Sequence, residues 1–394
     1  MNLLLGNFDF EHHLGRSKPR TLPASIQRIN AELAFSLVTI AQPGDFVWAA
    51  EPPEFDYQRH LAAIGLPDVR IVGDVAHVPA GTTLLPWGWS TRVKAWGTRN
   101  GWRCGCPDLA VVATANSREF SSSLEREWNV GLPHARTVRS LQEFGDAADQ
   151  STRQSPAWVV KANFGMSARE RILGRASPPS PQAVQWVQKQ LAQNEAVYFE
   201  PWVERIEEVA FQFTIPPAGE PVLEGITPLL TDSLGTYRGS RLRGASCQLA
   251  RVDESAEVLQ IVTRGAERIQ QLGYFGPLGI DAMCYRTPAG EIRWRPLQDI
   301  NARLTMGRLA LGLRRLVQPD EHASWLHVRW AGTASEIAEC LARSERSLPD
   351  GTRALRTSPL TVGGDPTSRG AILVSAPSAE ALATAEASFT RTNW

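Results

Sequence analysis

The sequence has no excess of either charge. Its 41 basic and 41 acidic residues cancel over 394 positions, so no overall field favours nucleic acid or an anionic membrane, and any anion site must be local. The chain also lacks an apolar run of transmembrane length, and its start, MNLLLGNFDFEHH, has neither the basic residues nor the long apolar stretch of a signal peptide. These absences predict a cytoplasmic protein that binds neither nucleic acid nor membrane.

Cysteine and histidine are scarce and scattered. An odd number of cysteines does not resemble a disulfide framework and fits a reducing compartment. The RCGCP segment at 103–107 offers half a metal site, but no second Cys or His pair follows at zinc-like spacing. No G-x-S-x-G pattern occurs, so no hydrolase site centred on a histidine can be assembled. The five cysteines are Cys104, Cys106, Cys247, Cys284 and Cys340.

The first third of the chain alternates short apolar runs with helix-like stretches. A content of 43% hydrophobic and 21% charged residues is typical of a globular protein, here long enough for two or three lobes. The runs MNLLLGNF, GDFVWAA, VRIVGD and DLAVVAT are predicted as buried strands, with a helix over 25–41. This alternation predicts a parallel, layered α/β domain over residues 1–116.

A tryptophan-rich segment lies within this domain. Residues 83–96 are predicted as a loop, in which Trp87, Trp89 and Trp96 surround Arg92 and Lys94. In open α/β sheets, loops at the carboxyl ends of strands are where ligands bind. The tryptophans either contact a ligand there or only cover the sheet.

Three further segments follow. Residues 117–156 are predicted as connecting helices that begin near Ser117 and Ser140, followed by a polar connector over 145–157. Residues 157–203 carry a strand that delivers Lys161 to the loop NFGMSAR, a helix capped by Ser180, and the strand VYFEPWV. The C-terminal segment 204–394 is predicted to contain strands at 207–215 and 222–232, an arginine-bearing loop at 236–245, a helix at 254–272, a hairpin of 278–286 with 291–301, and a strand and helix at 370–389.

Polar residues alternate in the stretch QDINARLTMG. On a strand, Asp299, Asn301 and Arg303 project to one face, while Ile300, Ala302 and Leu304 turn away. The predicted hairpin places Asp281 beside Asp299, so both carboxylates and the Asn301 amide can converge on a hard cation. Oxygen ligands of this kind suit magnesium, which is bound through one or two carboxylates together with substrate phosphates.

At this point the sequence resembles the ATP-grasp ligases. The resemblance rests on ordered elements over roughly residues 110–310: the lysine strand VVKANFG, the hinge FEPWVERIEE, the acid in GIDAM and the closing QDINARLTMG. It implies an α/β protein with α+β lobes, made of an N-terminal Rossmann-like pre-ATP-grasp domain, a small lid lobe (157–203) and a C-terminal lobe (204–394).

The resemblance also implies residue roles, with ATP and Mg²⁺ as cofactors and Mn²⁺ as an alternative ion. Lys161 and Arg118 would contact the phosphates beside Ser167 in the phosphate loop, and Arg303 would lie over the γ-phosphate as the transition-state cation. The hinge residues Glu200, Trp202 and Val203 would bind adenine. Either Glu207 or Glu208 would bind the ribose, and Glu208 is favoured because it directly precedes a strand. The magnesium would be bound by Asp281, Asp299 and Asn301.

The implied activity is the activation of a carboxylate as an acyl phosphate, followed by attack of an amine. Two departures bear on it, since the family usually has a glutamate where this chain has Asp299, and the phosphate loop is poor in glycine. Arg238, Arg241 and Arg243 either receive an acidic substrate or form a solvated basic loop. A phosphotransferase and a non-catalytic nucleotide-binding module are the alternative functions, and the resemblance implies a homodimer.

Overall fold

The computed structural model describes residues 1–14, 23–152, 155, 157–165, 170–175, 177–193, 195–243 and 255–390. Within these ranges, no helix is long and apolar enough to span a membrane. The described chain forms three lobes, each built on its own sheet.

The N-terminal lobe is a parallel sheet with helices around it. Its elements are β1 (Asn2–Leu5), α1 (Ala24–Leu33), β2 (Phe46–Trp48), α2 (Tyr57–Ala63), β3 (Arg70–Val72), β4 (Thr83–Pro86), α3 (Thr91–Arg99) and α4 (Leu109–Ala115), with 3-10 turns at Phe10–His13, Ala34–Ile40 and Val75–His77. The strand order is β3-β2-β1-β4, and all three pairings are parallel. The parallel, layered α/β architecture predicted for this segment is therefore confirmed.

Two predictions within this lobe are wrong. The fourth strand is Thr83–Pro86, followed by a helix, whereas a loop was predicted there. The run DLAVVAT is helix α4 and not a strand, because the Asp108 side chain accepts hydrogen bonds from the backbone N–H groups of Ala110 and Val111 and so caps a helix. A short apolar run fits a strand or a buried helix equally well, and the cap decides between them.

The middle lobe is an antiparallel sheet with helices on one face. After α5 (Arg118–Trp128), its elements are β5 (Arg136–Val138), α6 (Leu141–Thr152), β6 (Trp158–Ala162), β7 (Arg171–Gly174), α7 (Pro181–Leu191) and β8 (Val197–Pro201). The strand order is β5-β8-β6-β7. Phe144, Trp158 and Phe199 form its core, with their ring centroids 5.3 to 6.4 Å apart.

The predicted connector over 145–157 is wrong for its first half. Residues up to Thr152 continue helix α6, because Ala147 and Ala148 are buried against the core of the middle lobe. Small apolar residues at helical spacing hold the segment against the sheet although its other residues are polar. The predicted helix starts at Ser117 and Ser180 are confirmed, since each hydroxyl caps its helix.

The C-terminal lobe holds an eight-stranded antiparallel sheet. Its elements are β9 (Glu204–Ile215), β10 (Val222–Thr231), β11 (Tyr237–Arg243), α8 (Ala256–Gln271), β12 (Gly276–Arg286), β13 (Ile292–Asn301), α9 (Met306–Gly312), a 3-10 turn at Leu313–Leu316, β14 (His322–Arg329), α10 (Ala334–Arg346), β15 (Arg353–Arg356), β16 (Thr361–Val362), β17 (Asp365–Pro366), β18 (Arg369–Ala376) and α11 (Ala379–Thr390). The order is β13-β12-β9-β10-β11-β14-β18-β15, with β16 and β17 as a separate pair.

The arginine-bearing segment is a strand and not the predicted loop. Strand β11 lies in the middle of the sheet, between β10 and β14. Its glycine was interpreted as a loop residue, but Gly239 is required by a close approach, because a Cβ there would lie 2.5 Å from the carbonyl oxygen of Trp325. The predicted hairpin of β12 and β13 is confirmed.

The N-terminal and C-terminal lobes share one hydrophobic core. One cluster of buried side chains runs from Phe8 and Phe35 in the first lobe to Phe211 and Trp325 in the last. The two lobes approach closely enough that a Cβ at Gly312 would lie 2.1 Å from the carbonyl oxygen of Thr39. The middle lobe has a core of its own. The first and last lobes therefore form a fused pair, and the middle lobe packs against them as a separate unit.

A histidine in the fused pair makes stability depend on pH. Burial first and Arg369 second lower the pKa of His327 on β14 to about 3. An unfolded histidine binds a proton below about pH 6.5, so the folded state loses stability as the pH falls from there towards 3. We expect the Tm of wild type to fall by about 2–4 °C more than that of His327→Phe between pH 7 and pH 5. His77→Gln, at an exposed position, is the control, and equal losses in all three proteins would contradict the prediction.

Candidate functional site

Two carboxylates face each other at the edge of the C-terminal sheet. Asp281 on β12 pairs in register with Asp299 on β13, and the Asn301 amide donates a hydrogen bond of 3.2 Å to Asp281. Burial first, and then the Asp299 carboxylate, raise the pKa of Asp281 to about 7. Two adjacent carboxylates repel each other, and a cation bound between them would relieve that repulsion.

The donor set at this edge fits magnesium. It consists of the carboxylates of Asp281 and Asp299 and the amide oxygen of Asn301. Among the residues that the structure describes, no group of three or more His, Cys, Asp or Glu is suited to hold a metal ion by itself. A cation held here would need further oxygen ligands from a bound molecule or from water. That is the usual way in which proteins bind Mg²⁺ beside phosphates.

Arg303 lies just beyond the strand. Strand β13 ends at Asn301, so Arg303 does not share its face by alternation as predicted. Instead its guanidinium donates to the Asn301 side-chain oxygen at 2.7 Å and to the Leu304 carbonyl at 2.9 Å. It also forms an ion pair of 2.5 Å with Glu11 and lies over the ring of Trp87. These contacts fix the cation beside the carboxylate pair.

A cavity opens between the middle and C-terminal lobes. Lys161 and Glu200 reach it from the middle sheet, Trp202 and Val203 from the segment after β8, and Glu208 from β9. Its remaining lining residues are Leu132, Val159, Arg171, Pro201, Arg205, Gly235, Met283, Arg295 and Gln298. Five residues predicted to bind a nucleotide thus surround one cavity.

Strand alternation separates the two glutamates of the hinge. Glu208 lines the cavity and accepts hydrogen bonds from Arg205, Thr231 and Gln298. Glu207 is the next residue of the same strand, so its side chain points to the opposite face of the sheet. The geometry therefore favours Glu208 for contact with a molecule in the cavity, as the sequence did.

Arg118 connects the cavity with the carboxylate pair. Its guanidinium lies 3.5 Å from the Asp299 carboxylate and donates a hydrogen bond of 2.8 Å to the carbonyl oxygen of Ala162, at the end of the strand that carries Lys161. Arg118 is the first residue of helix α5, and the Ser117 side chain caps the start of that helix. The side chain is therefore held between two groups of charged residues.

A buried ionic network lies behind the cavity. Arg295 donates to both carboxylate oxygens of Glu125, at 2.5 and 2.9 Å, and to Glu200 at 3.0 Å. The Lys161 ammonium donates to the other oxygen of Glu200 at 2.6 Å. Burial alone would raise the pKa of Glu200, but Arg295 and Lys161 outweigh it and hold that pKa well below its usual range. Burial lowers the pKa of Lys161.

Several predicted residues do not line this cavity or lie outside the described residues. Arg238 forms an ion pair with Asp232, and Arg241 with Glu386 on α11. Arg243 ends strand β11, and its side chain is outside the described residues, as is Ser167 altogether. The role of the three arginines in substrate binding stays a prediction.

The tryptophan-rich segment divides between two tasks. Trp96 packs edge-on between Trp48 and Trp102, with ring centroids 4.9 and 4.6 Å apart, and so covers the sheet. Trp87 instead contacts Phe8 and lies beneath the Arg303 guanidinium. The covering interpretation is therefore confirmed for Trp96, and contact of this segment with a ligand stays a prediction.

Sequence reasoning missed three residues of the site. Glu125 and Arg295 are joined across 170 positions of the chain, and no local pattern links them. Glu11 had a usable signal, because it follows the first strand of a parallel sheet, at the carboxyl edge where ligand-binding residues collect. Arg295 also had a signal, because it is a charged residue on the inward face of a predicted strand, and a buried arginine usually has an acidic partner.

Solved structures with similar architecture exist, although no protein-family model and no curated protein sequence matches the chain. N5-carboxyaminoimidazole ribonucleotide synthetase from Thermus thermophilus is 13% identical, with a TM-score of 0.57 over 100% of this chain and 98% of that one. Biotin carboxylase from Campylobacter jejuni, in a β-γ-ATP complex, is 11% identical, with a TM-score of 0.55 over 90% and 87%.

A third similar structure was solved with ligands. The biotin carboxylase domain of Hydrogenobacter thermophilus 2-oxoglutarate carboxylase, in complex with MgADP, ADP and bicarbonate, is 11% identical, with a TM-score of 0.51 over 86% of this chain and 87% of that one. At these identities the likeness concerns the fold. It extends over nearly the whole length of both chains in the Thermus structure.

Proposed function

We propose, on the premise that this chain has the ATP-grasp fold expected from its motifs, that it is an ATP-dependent, magnesium-requiring ligase. It would activate a carboxylate as an acyl phosphate and join it to an amine, with release of ADP and phosphate. One observation carries the proposal: the cavity lined by Lys161, Glu200 and Glu208 lies beside the Asp281 and Asp299 pair, with Arg118 between them.

In this proposal the cavity, with a volume of about 70 Å³, holds only part of ATP, and the rest of the nucleotide extends towards the carboxylate pair. Trp202 and Val203 offer backbone groups and apolar surface to the adenine, Glu208 accepts from the ribose hydroxyls, and Lys161 contacts the phosphates. Glu200 orients Lys161 through their hydrogen bond of 2.6 Å. The lysine has a lowered pKa because of burial, and an incoming phosphate would favour its charged form.

Phosphoryl transfer would take place at the carboxylate pair. Asp281, Asp299 and Asn301 would hold magnesium, which when bound neutralises charge on the transferred phosphoryl group. Arg303, fixed by Glu11 and the Asn301 oxygen, would stabilise the charge that develops in the transition state. The carboxylate substrate would bind against the N-terminal lobe, because Glu11 and Trp87 of that lobe both contact Arg303.

The function can be tested by measuring ATP turnover against a panel of carboxylates and amines. ADP and phosphate are quantified separately, with hydroxylamine present to trap an acyl phosphate. Bicarbonate belongs in the panel, because one similar structure holds it together with MgADP. ADP, equimolar phosphate and a hydroxamate that depends on one acid support the ligase. ADP without free phosphate indicates a kinase, and nucleotide binding without turnover indicates a binding module.

Lys161 offers a direct test of the nucleotide site. Replacement by methionine keeps the aliphatic stem and leaves Glu200 paired with Arg295, so the protein should still fold. Loss of a charge-assisted hydrogen bond to phosphate should raise the KM for ATP about 10–100-fold. Lys189→Met, at an exposed position on α7, is the matched control. An unchanged KM in Lys161→Met would remove this residue from the site.

A further inference from the structure

A second cavity lies on the opposite side of the buried ionic network. It has a volume of about 460 Å³ and is bounded by helix α5, residues 129–136, strand β8 and the hairpin of β12 and β13. A volume of this size is within the range of small-molecule sites. Only Leu132, Glu200 and Arg295 line both this cavity and the proposed nucleotide cavity.

Two buried hydroxyl groups in the cavity wall lack a hydrogen-bond partner. Tyr198 on β8 is 3% exposed, and both its hydroxyl and that of Ser122 on α5 are without a partner among the residues that the structure describes. A buried polar group left unpaired costs about 1–3 kcal/mol. Neither oxygen is open to solvent in the cavity as it stands, so a bound molecule would pair with these hydroxyl groups only after a shift of the wall.

The cavity wall has a net positive charge when the side chains that form ion pairs within the buried network are not counted. Glu125 and Glu200 are both engaged by Arg295, which leaves the half-buried Arg136 and, at the exposed mouth, Arg126 and Arg293. The only ion pair of Arg293 in the described chain joins it to Glu291, with both side chains more than half exposed, and such pairs contribute little. Arginine forks match carboxylates and phosphates.

Aromatic side chains complete the wall. Tyr285 and Trp294 of the hairpin line the cavity together with Tyr198. Flat, apolar faces of this kind suit a planar ring more than a fully hydrated ion. The combination of a cationic mouth and aromatic sides is that of a site for a small aromatic anion.

We propose that this cavity is a second ligand site, for a small aromatic carboxylate or phosphate, and that it communicates with the first cavity through the shared Arg295 and Glu200 side chains. Arg295 holds Glu125 on one side and Glu200 on the other, and Glu200 in turn holds Lys161. A ligand that shifts Arg295 therefore shifts the lysine proposed to contact ATP. Coupling of this kind is reciprocal between the two ligands.

The test measures binding and not turnover. Benzoate and phenyl phosphate are titrated by calorimetry, with and without saturating MgADP, so that the two probes also separate a carboxylate ligand from a phosphate ligand. At least one probe should bind saturably in the presence of MgADP, and should change the Kd of MgADP about fivefold or more. MgADP should change the Kd of the probe by the same factor.

Three variants locate the probe. Arg126→Gln and Arg293→Gln, both at the mouth of the cavity, should each weaken it about tenfold, whereas Arg329→Gln, at an exposed position on β14 remote from the cavity, should not. Absence of saturable binding by both probes, complete displacement by MgADP, or equal binding by all variants would overturn the proposal. If MgADP itself fails to bind, the nucleotide site is refuted, and the effect of the variants on the probe still decides the second site.

Discussion

Replacing Asp299 with asparagine is expected to lower kcat for ATP turnover about a thousandfold, equivalent to about 4 kcal/mol of transition-state stabilisation. The substitution keeps the shape of the side chain and removes the charge. The proposed magnesium site would then keep one full carboxylate, Asp281, in place of two. Asp299 is 34% exposed, and its ion pair with Arg118 is long, at 3.5 Å. The free energy of unfolding should therefore stay within about 0.5 kcal/mol of wild type.

The measurement is a magnesium titration of steady-state turnover, together with urea unfolding of each protein. Glu204→Gln is the matched control, because Glu204 is another exposed acid that pairs with an arginine across neighbouring strands. Its turnover should equal that of wild type. Full activity of Asp299→Asn at ordinary magnesium concentrations would refute the assignment of the metal site.

The second large effect concerns stability. Arg295→Met should destabilise the protein by about 3–5 kcal/mol, because it leaves the buried carboxylate of Glu125 without a cation and that of Glu200 with Lys161 alone. The loss should appear as a lower urea midpoint. Arg286→Met, on the same hairpin but with an exposed ion pair to Glu204, should change stability by less than about 0.5 kcal/mol.

A double variant distinguishes an unpaired charge from a packing defect. Arg295→Met combined with Glu125→Leu removes both partners of the closest pair and leaves Glu200 held by Lys161. At least half of the lost stability should return. If the double variant is as unstable as the sum of two single variants, the loss comes from cavity formation and not from the stranded carboxylate.

Much of the site could be predicted where neighbours in sequence are neighbours in space. Strand alternation and one tight turn bring Asp281 beside Asp299, and side-chain caps at Ser117 and Ser180 fix two helix starts. Lys161 was located because an apolar run ends at it. In each case the deciding interaction lies within a few residues or across one hairpin, so the pattern of the sequence contains it.

Other parts depend on partners that are distant along the chain. The pairs Arg295 with Glu125 and Arg303 with Glu11 form only when separate lobes meet. Strand β11 was mistaken for a loop because its glycine is needed by the neighbouring strand, a reason that its own sequence does not carry. The helix at DLAVVAT depended on one aspartate cap.

The core shared by the first and last lobes also bears on synthesis of the chain. Phe8 and Phe35 leave the ribosome early, whereas Phe211, Trp325 and Leu373, which belong to the same buried cluster, are made much later. Domains with a self-contained core can fold as soon as they emerge. The N-terminal sheet cannot complete its burial in that way, so the nascent chain must keep part of its apolar surface uncovered until Leu373 has been translated. The middle lobe, with a core entirely its own, is free to fold first.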